Sequence, residues 1–224
     1  MTAVGIDACS SGWIAVAMRP GRAEAHHLPS IDRLVDAVPD CSLTAIDIPI
    51  GLPETGRRQA DVAASEFLGI RRDSVFFTPV REALEAPTHA DATATSLRLT
   101  GAGISQQAYG LRSKIFEVER WLTLATFPVF EIHPEVSFAE MMGAPASARK
   151  KTWAGMVERR SVLAQAGITL EHSGRSASSR AGVDDMLDAG AEAWSATRLL
   201  DGTARSLPDP PEIDSDGRQF AIWV

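Results

Sequence analysis

Two aspartates, Asp7 and Asp47, each lie at the end of a short apolar segment that is followed by a turn. Asp7 comes after Val4-Gly5-Ile6 and before the small residues Ser10-Ser11-Gly12, and Asp47 comes after Ala45-Ile46. Because side chains alternate along a strand, each aspartate points away from the isoleucine before it. If the two strands are parallel neighbours, both carboxylates lie at the carboxyl edge of the sheet, where open α/β sheets bind ligands. Two acids without a basic partner repel each other unless a cation lies between them, which predicts a site for Mg²⁺ or Mn²⁺. The alternative for Asp7 is a hydrogen bond to the amides of the following turn.

A third acidic group lies near the C-terminus, at Asp184, Asp185 and Asp188. Asp184 and Asp188 are four residues apart and share one helical face, with Asp185 about a quarter-turn away. Small residues continue this face, which suits a helix packed closely on a sheet. We expect one of the three aspartates to join the metal site. The alternative is that acids in a first helical turn only complement the helix dipole.

The segment Glu131-Ile132-His133-Pro134-Glu135 carries a possible acid–base pair. Its charged residues lie on one side if the segment is extended, and Pro134 favours a helix starting at Glu135. We expect Glu135 or His133 to orient or deprotonate a water molecule. The alternative is a strand edge with a structural histidine.

Basic residues occur in small groups, and three of them are candidates for phosphate binding: Arg57, Arg58 and Lys114. The two arginines follow Asp47 closely, and a guanidinium suits bidentate contacts with a phosphate. The alternative is that these groups belong to solvated helix faces.

The order of predicted elements favours an α/β fold of ribonuclease H-like architecture. A helix would cross over to place the fourth strand parallel to the first, as right-handed crossovers allow. We expect a single domain over residues 1–224, with a mixed five-stranded sheet flanked by helices and a helical insertion after strand four. A loop is predicted at His172–Gly182 and another in the proline-rich tail from Pro208 to Gly217. The predicted strands are 3–9, 13–18, 23–28, 43–48 and 127–132, with a closing strand at 219–224, and the predicted helices are 31–38, 57–68, 104–125, 152–166 and 183–200.

Composition narrows the classes of partner. The net charge of −7 argues against a broad basic surface for long duplex nucleic acid, whereas a short or single strand or a nucleotide remains compatible, because bound metal ions reverse the local sign. Two cysteines provide neither a disulfide framework nor a zinc site. The absence of a signal-peptide pattern and of a long apolar stretch leads us to expect a cytoplasmic protein with no membrane partner. The sequence does not indicate an oligomeric state.

Several separate blocks resemble the family known as domain of unknown function 429. They are GIDACSSGW, AIDIPIGLP, GRRQAD, RRDSVFFTP, EIHPEVSF, KKTWAG and DDMLDA, in this order from Gly5 to about Trp223. The resemblance implies a nuclease of ribonuclease H-like fold, since members are commonly described as predicted nucleases. It matches Asp7 to the strand-one aspartate of such enzymes and Asp47 to the acid that ends strand four. It matches Asp184, Asp185 or Asp188 to the late-helix acid of the Holliday-junction resolvase branch.

The sequence departs from ribonuclease H itself because its first helix has no clear glutamate. Asp32 and Asp36 are poor substitutes, and we expect Glu131 or Glu135 to replace that ligand.

Three hypotheses follow. The first is metal-assisted phosphodiester hydrolysis, in which Asp7 bridges two ions about 4 Å apart and Asp47 and a late-helix aspartate complete their shells. The second is a non-catalytic binding module on the same fold, which the acidic balance favours. The third is a phosphotransferase of the actin and sugar-kinase type, although Cys9 stands where those enzymes usually have a glycine and they generally pair two such sheets.

Overall fold

The computed structural model describes residues 1–170, 177, 179–213, 217 and 219–224. Its main sheet has five strands in the order β3-β2-β1-β4-β5. The first three strands form antiparallel pairs, whereas β4 lies parallel to both β1 and β5. This mixed sheet has the ribonuclease H-like arrangement that the sequence predicts. The strands are β1 (Thr2–Cys9), β2 (Gly12–Arg19), β3 (Arg22–Leu28), β4 (Cys41–Ile46) and β5 (Val129–Glu131).

Helices cover both faces of the sheet, and a helical insertion follows β4 as predicted. A short helical segment joins β3 to β4, with a 3-10 turn at Ile31–Arg33 leading into α1 (Leu34–Ala37). The insertion contains α2 (Gln59–Leu68), a 3-10 segment (Gly69–Ser74), α3 (Arg81–Glu85), α4 (His89–Thr100), α5 (Gln106–Gly110) and α6 (Arg112–Leu122). After β5 come α7 (Pro134–Met142), α8 (Trp153–Gln165), α9 (Val183–Leu200), β6 (Ser206–Ile213) and β7 (Gln219–Trp223). Within the described ranges, no helix is both long and apolar enough to cross a bilayer.

The two faces of β1 pack against different helices. Val4 and Ile6 join the core on the side of α6, with Ile115 and Val118. The alternate residues of the strand face α9, where Ala3 packs with Ala196. Strand alternation therefore assigns Asp7 to the face that α9 covers.

Gly5 allows α9 to lie unusually close to β1. A Cβ atom at this position would lie 2.1 Å from the backbone nitrogen of Ala193 and 2.4 Å from the carbonyl oxygen of Ala189. Contact is thus backbone to backbone, and no flexible side chain could move aside. The alanines of α9 make the same close approach possible from the helix side.

The predicted helix over 104–125 is interrupted. Ser105 caps α5 by accepting a hydrogen bond from the amide of Ala108, and α5 ends at Gly110. Leu111 separates it from α6. Periodic apolar residues predicted the buried face correctly, but the helix begins only after the Ser105 cap, and the low helix propensity of Gly110 accounts for its division in two.

The prediction of a loop from Pro208 to Gly217 is wrong for its first half, which belongs to β6. This strand pairs with β7 in a separate two-stranded sheet, with a shift in register between Leu207 and Glu212. The prolines lie inside that shift, where the ladder needs no amide donor. Asp214, Ser215 and Asp216 of this predicted loop, and most of the loop predicted at His172–Gly182, lie outside the described residues.

We expect Gly5→Ala to destabilise the protein by about 1–3 kcal/mol or more, because the added methyl group must push α9 away from β1. Urea unfolding measures the change. Gly110→Ala is the matched control, since its Cβ meets nothing within 4 Å. Equal stability of Gly5→Ala and the parent protein would contradict the close contact.

Candidate metal centre

Asp7 lies near the end of β1, on the face toward α9. Its side chain is almost completely buried, and its Oδ1 accepts a 2.7 Å hydrogen bond from the amide of Ala8. The donor belongs to β1 itself and not to the turn at Ser10 and Ser11 that the alternative interpretation named. This hydrogen bond engages only Oδ1, so Oδ2 of Asp7 can still accept a hydrogen bond or coordinate a cation.

Asp47 follows directly after β4 and stays beside β1. Its amide donates to the carbonyl of Ile6 at 3.3 Å, which continues the parallel pairing by one residue. The register that places Ile46 opposite Ile6 then brings the two aspartates to the same edge of the sheet. The two strands are the parallel neighbours that the sequence predicts.

Glu192, on α9, is the third carboxylate of this cluster. It is 0% exposed, and neither of its carboxylate oxygens has a hydrogen-bond partner within the part of the chain that the structure describes. One oxygen atom from each of Asp7, Asp47 and Glu192 lies within 4.8 Å of the other two. We refer to these three residues as the acidic triad. A buried carboxylate with no partner is strongly destabilising unless a proton or a cation neutralises it.

Burial governs the electrostatics of the acidic triad. Loss of solvation raises the pKa of Asp7 and of Glu192 well above the ordinary carboxyl range, and the neighbouring carboxylates raise both further. Burial also raises the pKa of Asp47, although His133 and Lys150 oppose this effect. Three oxygen donors with excess negative charge fit a hard divalent cation such as Mg²⁺ or Mn²⁺.

Of the three aspartates predicted on the late helix, Asp188 lies closest to this chemistry. It is buried, and its Oδ2 accepts a 2.7 Å hydrogen bond from Nζ of Lys150. Burial raises the pKa of Asp188 to about 6 in spite of this cation. Asp185 instead accepts a hydrogen bond from the amide of Gly182 at 2.9 Å and caps α9, while Asp184 is partly exposed in the first turn. None of the three belongs to the acidic triad.

The structure places Glu131 and Glu135 in buried ion pairs. Both oxygens of Glu131 accept from Arg58, at 2.6 and 2.8 Å, and both oxygens of Glu135 accept from Arg159, at 2.7 Å each. Each of these carboxylates therefore already has an arginine partner, although Arg58 is shared with Asp61. Glu192, and not one of these two glutamates, lies with Asp7 and Asp47 in the acidic triad, and Arg159 engages both oxygens of Glu135.

His133 keeps one ring nitrogen available. Its Nε2 lies 3.3 Å from the carbonyl oxygen of Ser74, which can only accept, so this nitrogen carries the proton. The other nitrogen, Nδ1, is buried and has no hydrogen-bond partner among the residues described. His133 and Asp47 both line a cavity of about 20 Å³, which is enough for one water molecule.

The three basic candidates occupy different environments. Arg58 is buried and pairs with Asp61 at 2.6 Å as well as with Glu131, so it is placed as a structural residue. Lys114 donates to the carbonyl of Gly12 at 3.0 Å and lies over the ring of Trp13, which packs in the core on the α6 side of the sheet. Arg57 alone of the three is exposed, with its guanidinium 3.9 Å from the ring centre of Phe77.

Sequence reasoning missed Glu192 and Lys150. Glu192 follows Asp188 by four residues and therefore continues the acidic face of α9. A glutamate surrounded by Ala189, Gly190, Ala191 and Ala193 is the signal that could have identified it, because such small residues mark close helix packing. Lys150 gave no signal, since it lies in a basic run typical of a solvated surface.

Comparison with known proteins identifies the family. A family model described as "Protein of unknown function (DUF429)" matches residues 5–213. No curated protein and no solved structure matches the chain.

We expect Arg58→Ala to lower the free energy of unfolding by about 3–5 kcal/mol, because it leaves Glu131 and Asp61 buried without their cation. Arg57→Ala, next in sequence but exposed, should change it by less than about 1 kcal/mol. Urea unfolding compares the two variants. Similar values for both would refute the buried network.

The stability of the metal-free protein should fall as pH rises from about 4 through 6 and above. In this window the folded protein holds protons on its buried carboxyls that the unfolded chain has released, so folding becomes less favourable. Glu192→Gln should reduce this slope. Mn²⁺ should raise the melting temperature more at pH 8 than at pH 6, because it binds deprotonated carboxylates.

Thermal unfolding in a chelating buffer, with and without excess Mn²⁺, tests these slopes. The difference between the parent protein and Glu192→Gln isolates Glu192, since both share all other titratable groups. A metal-free protein that is equally stable at both pH values, with no response to Mn²⁺, would exclude the metal centre.

Proposed function

The chain belongs to the DUF429 family, and we propose that it hydrolyses phosphodiester bonds with a divalent cation, Mg²⁺ or Mn²⁺, held by Asp7, Asp47 and Glu192. The observation that carries this proposal is the convergence of three carboxylates, from β1, from the residue after β4 and from α9, of which Glu192 is fully buried and pairs with no cationic side chain among the described residues. Purely structural acids in this protein, such as Glu131 and Glu135, have arginine partners instead.

In the net reaction, one water molecule adds to phosphorus and the bond to the leaving alcohol breaks, which gives a phosphomonoester and an alcohol. When bound, the cation supplies Lewis-acid chemistry that polarises a phosphoryl oxygen and acidifies water. The acidic triad would fix the position of the cation, and Asp47 also lines a small cavity of about 20 Å³ at the edge of the sheet.

His133 is the best candidate for the general base. In the neutral imidazole with Nε2 donating to Ser74, Nδ1 carries no proton and can accept the one that the attacking water loses. The cavity that His133 and Asp47 line has room for that water. Glu135 does not share this role, because Arg159 engages both of its oxygens.

Arg57 is the best candidate for substrate binding. It borders a pocket of about 230 Å³ that is also lined by Phe76, Phe77 and Thr78. Phe76 and Thr78 also line the small cavity beside Asp47, so the two spaces adjoin. An exposed guanidinium next to aromatic rings suits a phosphate or an unstacked base of a short single strand. The net charge of −7 favours such a substrate over a long duplex.

The phosphotransferase hypothesis has less support. Enzymes of the actin and sugar-kinase type generally pair two sheets of this kind. Throughout the described ranges the second sheet is only the two-stranded β6–β7 pair.

We expect Asp7→Asn to reduce metal-dependent cleavage by about 10²- to 10³-fold or more while the protein stays folded. Labelled single-stranded DNA and RNA oligonucleotides, incubated with Mn²⁺ or with chelator, measure cleavage. Asp32→Asn is the control, because Asp32 is an exposed aspartate on the first helical segment. Cleavage that persists in Asp7→Asn would overturn the assignment, and Mn²⁺ binding without any cleavage would favour the binding module.

A further inference from the structure

Lys150 is held against the acidic triad by Asp188. It lies between α7 and α8, and its Nζ is 2.7 Å from Oδ2 of Asp188. The lysine side chain is 41% exposed, whereas that of Asp188 is 3% exposed. The ammonium group therefore stands where the buried acids meet the solvent.

This ammonium acts on more than its direct partner. Lys150 is close enough to stabilise the charged forms of Asp7 and Asp47 as well as that of Asp188. Asp188 in turn is close enough to Asp7 and Glu192 to repel their charges. Lys150 and Asp188 thus form a neutral pair next to three carboxylates that make no direct ion pair with any described residue.

The number of available carboxylates favours one divalent cation at this site. The acidic triad carries three negative charges when it is deprotonated, so one divalent cation leaves a single negative charge. A second cation about 4 Å away would need a further carboxylate, and Asp188 is the nearest candidate. Oδ1 of Asp188 has no hydrogen-bond partner among the described residues, but Oδ2 holds the ammonium of Lys150, so a second cation bound to Asp188 would lie beside that like charge and be repelled by it.

We propose that this centre binds one divalent cation, in the acidic triad, and that the ammonium of Lys150 takes the place of the second ion of a two-metal site. The inference rests on the proposed function, because it needs the cation at Asp7, Asp47 and Glu192. The half-exposed Lys150 would contact a phosphoryl or leaving oxygen of the substrate and stabilise the negative charge that develops there. Asp188 is then a positioning residue, since it orients the lysine.

Calorimetric titration of chelator-stripped protein with Mn²⁺, combined with electron paramagnetic resonance, tests the proposal. The parent protein should bind one Mn²⁺ per chain with an uncoupled signal. Lys150→Ala frees Asp188 and should admit a second Mn²⁺, seen as doubled stoichiometry and spin coupling between the ions. Lys151→Ala, an exposed neighbour, and Lys150→Arg, which keeps the charge, should both retain a single ion.

Cleavage gives an independent readout. Lys150→Ala should lose about 10²-fold in rate at low Mn²⁺ and recover part of it at concentrations that fill the second site. Asp7→Asn should show no such recovery. Circular dichroism checks that each variant is folded, and Lys150→Met, which keeps the length of the side chain without its charge, replaces the alanine variant if that variant is not.

The outcomes separate this inference from the proposed function. Two coupled ions in the parent protein, or a single ion in folded Lys150→Ala, would overturn the role of Lys150 and leave the hydrolase proposal intact. No Mn²⁺ binding by the parent protein would overturn both. One ion without cleavage of any substrate would remove the hydrolase proposal and support the single-cation site.

Discussion

The close packing of α9 on β1 is the constraint on which the rest of this structure depends. Gly5 leaves no side chain between strand and helix, so the two backbones touch. This contact brings Glu192 above the edge where Asp7 and Asp47 lie, and it buries Asp7 and Glu192 while Asp47 stays partly exposed. The same packing that stabilises the fold through apolar burial therefore creates a site with excess negative charge. Folding and cation binding are coupled through this one helix.

The buried acidic residues fall into two groups, those paired with an arginine and those of the acidic triad. Glu131 and Glu135 are matched with Arg58 and Arg159, which lie within the interior and satisfy both carboxylate oxygens. The Arg58–Glu131 pair joins the start of α2 to β5, and the Arg159–Glu135 pair joins α8 to α7. The triad has no such arginine among the described residues. Because desolvated charges are expensive, the contrast distinguishes acids that serve the architecture from acids that are kept for a ligand.

The surroundings of the triad are consistent with chemistry on a small anionic substrate. Lys150 provides a positive charge at the solvent boundary, His133 a free ring nitrogen, and Arg57 an exposed guanidinium beside an aromatic ring. These groups come from three separate segments that follow β4, whereas the acids come from β1, β4 and α9. The division resembles that of many α/β proteins, in which the sheet fixes the reactive groups and the connecting segments meet the substrate.

The sequence by itself determined the order and direction of the main strands, the long helix over Val183–Leu200, and the meeting of Asp7 with Asp47. The strands and the helix follow from the periodicity of apolar residues, which is a local property of the sequence. The parallel placement of β4 beside β1 follows from the general preference for right-handed crossover connections. Only the tertiary structure decided which acids are neutralised. Arg58 and Glu131 are 73 residues apart, and Lys150 and Asp188 are 38 apart. Likewise, the helix periodicity that placed Asp188 and Glu192 on one face could not show which side of the helix would be buried, or how deeply. Pairing and burial arise when distant segments pack together, and for that reason no local pattern could assign Glu192 to the metal centre or remove Glu131 from it.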